Sequence, residues 1–141
     1  MIKTIKILVV TVVMMLTMVG GASAYEQHLN GDPNYDLLYG KQGVATYLDR
    51  SSCVKRVDNS EVKVWAQNHV VVDTTNGNII NTSTIHYAVD ITTSPYTYYT
   101  SKIGTSGTWN PFDMNDRSDA TAAIRNGFWK GFQATFGYSF S

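Results

Sequence analysis

The stretch Glu61–Ile91 constrains the fold of this chain more than any other. Glu61, Lys63, Trp65 and Gln67 fall on one face of an extended segment, and Val62, Val64 and Ala66 fall on the other. A period of two built from β-branched and aromatic residues describes a half-buried strand over Glu61–Val72. The phase breaks at Asn68-His69, and Val70, Val71 and Val72 then run together, which predicts a bulge or burial on both faces. Asn76-Gly77 follows, and both residues tolerate the positive φ that a tight hairpin turn requires. A partner strand is therefore predicted from Ile79 to Ile91. Its apolar face carries Ile85, Tyr87, Val89 and Ile91, and its polar face carries Thr84, His86, Ala88 and Asp90.

The flanking segments extend this hairpin. Asn34–Tyr39 reads as a first strand and Gly40–Gly43 as a turn. Val44–Asp49 alternates, and the side chains of Asp49-Arg50-Ser51-Ser52 can bond nearby amides and end it. Pro95 makes Tyr96–Ile103 an edge strand, because proline cannot donate to a ladder. Gly104–Gly107 reads as a flexible turn and Trp109–Phe112 as an aromatic-rich loop. The period then changes. Ser118 is placed to cap a helix, with Asp119 in the first turn where the dipole favours negative charge. Ala120, Ile124, Phe128, Phe132 and Phe136 recur every four residues as a slanted ridge, and Ala123, Gly127 and Gly131 form a small-residue groove beside it. Burying Ile124, Phe128 and Phe132 contributes ~1.5–3 kcal/mol each, whereas each glycine costs ~1 kcal/mol of helix propensity. Burial wins, and the glycines let the helix lie close to a sheet. Gly137–Ser141 is a tail that could add a last strand. The expected class is α+β: an antiparallel sheet of about four to six strands with a C-terminal helix, residues 118–136, packed on a face.

The N-terminus sets the expected address. Lys3 and Lys6 precede an apolar run, Ile7–Val19, broken only by two threonines, and Ala22-Ser23-Ala24 supplies small residues before Tyr25. This is the layout of a cleaved secretory signal over residues 1–24, and the run is short for a span that needs about 20 residues. Residues 25–33 read as a flexible arm and 34–141 as a single domain. Cleavage leaves 117 of the 141 residues, with nine Lys+Arg against eleven Asp+Glu, a net charge of −2. That balance argues against nucleic acid or an anionic membrane as the main partner. Asn126, Lys130 and Gln133 make the C-terminal helix too polar to span lipid, so no stable membrane span is expected after cleavage. The expected location is secreted, cell-surface or periplasmic.

No chemistry motif emerges from the residues. His28, His69 and His86 share no metal-ligand spacing, and His69 and His86 are expected to be exposed strand residues. Asp113–Asp119 fails as a calcium loop: Ser118 stands where glycine is required and Ile124 where the bidentate Glu belongs. No catalytic residue, cofactor or metal is assigned. Cys53 is the sole cysteine, so its readings are a buried thiol, an intermolecular disulfide that makes a homodimer, or a reactive group. Aromatic residues outside the obvious core suggest an interaction surface instead. Tyr96, Tyr98, Tyr99, Trp109 and Phe112 are the residues selected for it, because tyrosine and tryptophan give large contact area at low entropic cost.

Tyr47-Leu48-Asp49-Arg50-Ser51-Ser52, followed by Glu61-Val62-Lys63-Val64-Trp65, resembles the surface-adhesin protein E-like family of small exported bacterial proteins. The likeness covers Val44–Ala66, and the order of a Trp-x-Pro segment (Trp109, Pro111) and a helix agrees downstream. Members often carry a cysteine pair, where this chain has Cys53 alone. The resemblance implies an antiparallel sheet with a C-terminal helix, a surface or periplasmic location, dimerisation, and in some members binding to host matrix proteins. It implies no enzyme. The leading expectation is a non-catalytic exported domain with a protein or host-surface partner. The alternatives are a periplasmic protein binding a small apolar ligand between sheet and helix, or serving envelope stress, and a cryptic hydrolase or thiol enzyme.

Overall fold

A computed structural model describes residues 25–104 and 107–141 of the chain. The signal-peptide reading lies outside the described residues. The strands are β1 (Tyr35–Lys41), β2 (Val44–Asp58), β3 (Val62–Asp73), β4 (Asn78–Asp90), β5 (Thr97–Ser101) and β6 (Asn110–Phe112), followed by one helix, α1 (Asp119–Phe136). They form a single six-stranded antiparallel sheet in the order of the sequence. The expected β3–β4 hairpin forms, with Trp65 opposite Tyr87 and Lys63 opposite Val89, but its connection is a four-residue loop, residues 74–77, in which Gly77 takes a positive φ of 75° and Asn76 does not.

The sheet buries residues on both sides, each with its own cover. The helix side carries Leu48, Trp65, Gln67, His69, Tyr87 and Val89, and Phe128 and Phe132 of α1 are fully buried against it. Trp65 stacks on Tyr87 with centroids 5.2 Å apart, and Phe128 and Phe132 approach the same indole at 5.2 and 5.5 Å. The opposite side holds a second cluster of Leu29, Ala45, Tyr47, Val70 and Val72 at the β1–β3 end. Residues 25–33, expected as a flexible arm, cover that cluster. Leu29 is buried, the Tyr47 hydroxyl donates to the Glu26 carbonyl at 2.8 Å, and the Leu37 amide donates to the Gln27 carbonyl at 2.9 Å.

Four local expectations change. β2 does not stop at Asp49–Ser52 but bulges there and runs on to Asp58. The turn-forming side chains are present and stitch the bulge: Asn34 Nδ2 donates to Asp49 Oδ1 at 2.7 Å, and the Asn68 amide donates to Ser52 Oγ at 2.7 Å. Those residues are the core of the family-like motif, and their work here is structural. β5 is not the edge, because Asn110–Phe112, expected as loop, pairs outside it. Pro111 then occupies the outermost strand, where a missing N–H is tolerated. Ser118 holds the N-cap position without a side-chain cap bond. Its carbonyl instead accepts Arg125 Nη2 at 3.0 Å. The tail adds no strand. Gly137, at φ 86°, ends the helix in the left-handed conformation, and Phe140 returns to lie 5.1 Å from Phe128 and from Phe132.

Candidate functional site: two faces of one sheet

Alternation along β3 places Trp65, Gln67 and His69 in one row beneath α1. Trp65 Nε1 donates to Gln67 Oε1 at 2.8 Å, and Gln67 Nε2 donates to the Gly127 carbonyl at 2.9 Å. These contacts fix the amide's orientation, since indole only donates and a carbonyl only accepts. The remaining Gln67 N–H faces His69 Nε2 at 2.8 Å, so that nitrogen must accept. His69 is therefore neutral, with its proton on Nδ1. Burial alone pushes its pKa down to about 4. The expectation of an exposed His69 is corrected: it is 4% exposed. The sequence reading also missed Gln67, which is fully buried, because a glutamine followed by Asn68 and His69 resembles a solvent-facing residue.

The helix comes this close because Gly127 and Gly131 have no side chains. A Cβ at Gly131 would sit 1.5 Å from Gln67 Oε1, and one at Gly127 would sit 2.6 Å from the Tyr87 hydroxyl. Further hydrogen bonds register the helix. Tyr87 Oη donates to the Ile124 carbonyl at 2.8 Å. Asn126 Nδ2 and Lys130 Nζ donate to the Leu38 and Leu37 carbonyls, at 2.7 and 3.0 Å, where a bulge interrupts the β1–β2 ladder. Cys53 is half-buried beside Thr135 near the helix end, and burial pushes its pKa up. A protonated thiol is a poor nucleophile. His86, on the other side of the sheet, is half-buried, and burial and the Arg56 charge lower its pKa.

The side facing away from the helix has a different character. At the β2–β5 end an open groove of about 560 Å³ is lined by Val57, Val62, Val64, Ala88, Tyr99 and Trp109, with Glu61, Asp90 and Thr92 completing the wall. The Asp90 carboxylate accepts the Thr92 amide and hydroxyl at 2.9 and 2.6 Å, which hold its pKa below the usual carboxylate range.

The five aromatic residues selected from the sequence do not form one surface. Tyr98 and Tyr99 are neighbours on a strand, so their side chains leave opposite faces. Tyr99 and Trp109 line the groove, whereas Tyr96, Tyr98 and Phe112 line a cleft of about 420 Å³ on the helix side, beside Trp129. Tyr98 and Phe112 also pack into the core, with Tyr98 5.2 Å from Phe128. Among the described residues, no group of three or more His, Cys, Asp or Glu could hold a metal ion, and no helix is long and apolar enough to cross a membrane. Comparison of the chain with protein-family models, with curated proteins and with solved structures returns no match.

Proposed function

We propose that this chain is an exported, non-catalytic binding domain that holds a protein partner on the helix-free side of its sheet. The groove at Val57, Val62, Val64, Ala88, Tyr99 and Trp109 carries this reading. It is an exposed, mostly apolar concavity with a few polar groups, the usual make-up of a binding site. Its size lies within the ~300–1,000 Å³ typical of such sites. Two sequence features support the same reading: the secretory layout of residues 1–24 and the resemblance of Val44–Ala66 to the adhesin-like family, some of whose members bind matrix proteins. The helix side supplies rigidity, so that the groove is presented by a scaffold whose core is complete without a partner.

The reading is tested with purified mature protein passed over immobilised host matrix proteins. Wild type should bind at least one of them saturably. Trp109→Ala should weaken that binding at least tenfold, while Tyr138→Ala, on the helix side, should leave it unchanged. Absence of binding to the whole panel, or equal binding by Trp109→Ala, would overturn the assignment.

A further inference from the structure

The groove's chemistry says what kind of segment fits it. Among the described residues its charged lining groups are Glu61 and Asp90, both carboxylates, and no lysine or arginine lines it. Its two aromatic residues, Tyr99 and Trp109, present π-faces that attract cations. The rest of the apolar lining, Val57, Val62, Val64 and Ala88, offers no hydrogen bond to a polar ligand body. Cationic and apolar groups on one ligand would satisfy all three parts of the wall.

The groove's shape favours a chain segment over a small molecule. It is open rather than enclosed, whereas small-ligand sites bury ~70–90% of the ligand. It also crosses the sheet. Val57 lies on β2 and Tyr99 on β5, three strand spacings apart. At ~4.8 Å per spacing this is roughly 14 Å, the reach of about four extended residues.

We infer that the groove binds an extended segment of a partner protein in which lysine or arginine stands among apolar residues, the cation meeting Glu61 and Asp90 and the apolar side chains meeting the valines and Trp109. This rests on the binding reading above and adds the partner's charge and form.

The test is an NMR titration of isotope-labelled mature protein with three capped hexapeptides, each three leucines followed by three lysines, three glutamines or three glutamates. The lysine peptide should shift the Val57, Val62 and Val64 methyls and the Trp109 indole. It should bind at least tenfold more tightly than the glutamine peptide and more tightly still than the glutamate one. Glu61→Gln combined with Asp90→Asn should erase that preference, because asparagine keeps an acceptor for the Thr92 bonds while removing the charge. Equal binding of all three peptides would overturn the inference and leave the groove as a binding site. No groove shifts with any peptide would overturn it as well, and the matrix-protein experiment would then decide separately whether the domain binds. A free alkylammonium that binds as tightly as the lysine peptide would show that a chain segment is unnecessary.

Discussion

The two sides of the sheet solve the same problem differently. On the helix side, Trp65, Tyr87, Phe128 and Phe132 are fully buried, and a row of hydrogen bonds from Trp65 through Gln67 to Gly127 locks sheet to helix. On the other side, residues 25–33 cover the β1–β3 end and leave Val57, Val62, Tyr99 and Trp109 around an open groove. The proposed recognition surface is thus set apart from both buried clusters. A buried residue on the helix side answers to its neighbours' shapes, whereas a residue lining the open groove has fewer neighbours to fit.

The sharpest way to break this contrast is to truncate one residue on each side. Phe132→Ala should cost ~3–5 kcal/mol, because a fully buried ring leaves a cavity that neighbouring rings cannot fill. Trp109→Ala should cost about 1 kcal/mol or less, in the range of surface sites. Urea denaturation of both variants measures the difference. Similar losses would mean that the groove wall belongs to the core.

Acid should act on the helix side through His69. Its pKa is about 4 in the folded chain against 6.5 when unperturbed, so the unfolded state binds the proton more readily. The His69 contribution is complete above about pH 6.5, falls as the pH drops from there towards 4, and is gone below. The gap corresponds to about 3 kcal/mol. Protonation places an Nε2–H against the Gln67 N–H, two donors facing each other. Unfolding free energies measured across this range should slope upward with pH in the wild type and less steeply in His69→Gln. Equal slopes would remove His69 from the account.

Adding a methyl group tests the close approach itself. Gly131→Ala gains about 1 kcal/mol of helix propensity, yet its Cβ would meet Gln67 Oε1 at 1.5 Å. Overpacking of this kind costs ~1–3 kcal/mol, so the variant should be less stable, as thermal denaturation would report. A stabilised variant would show that the helix does not sit this close.

The smallest effect concerns Cys53. Burial raises its pKa, and its neighbour is Thr135 on the helix. Alkylation by iodoacetamide at neutral pH should be slower than for an unfolded control. Thr135→Cys should form an intramolecular disulfide under mild oxidation, visible as a loss of free thiol by mass spectrometry. A dimer from that variant instead would place Cys53 on the outside.

Most of the sheet could be read in the sequence because its signals are local. Asn76-Gly77 marked the place of the central hairpin, though its loop is longer than a tight turn, and the four-residue ridge of Ile124, Phe128 and Phe132 located the helix and its buried face. What was lost depends on contacts distant in the chain. Gln67 and His69 look solvent-facing until a helix 60 residues away supplies the Gly127 carbonyl. The Asp49–Ser52 turn chemistry was real, yet Asn34 and Asn68 turned it into a bulge within one long strand. The groove was half visible. Tyr99 and Trp109 stood out as aromatic, but Val57, Glu61 and Asp90 join them only through the successive pairing of β2 with β3, β3 with β4 and β4 with β5.

Hydroxyl-radical footprinting of residues 25–141, free and mixed with the proposed matrix partner, tests the division of the two faces most directly. Trp109 and Tyr99 should be protected on binding, while Trp129 and Tyr138, 44% and 52% exposed on the helix side, should react as before. Protection of Trp129 and Tyr138 with Trp109 unchanged would place recognition on the helix and contradict the account.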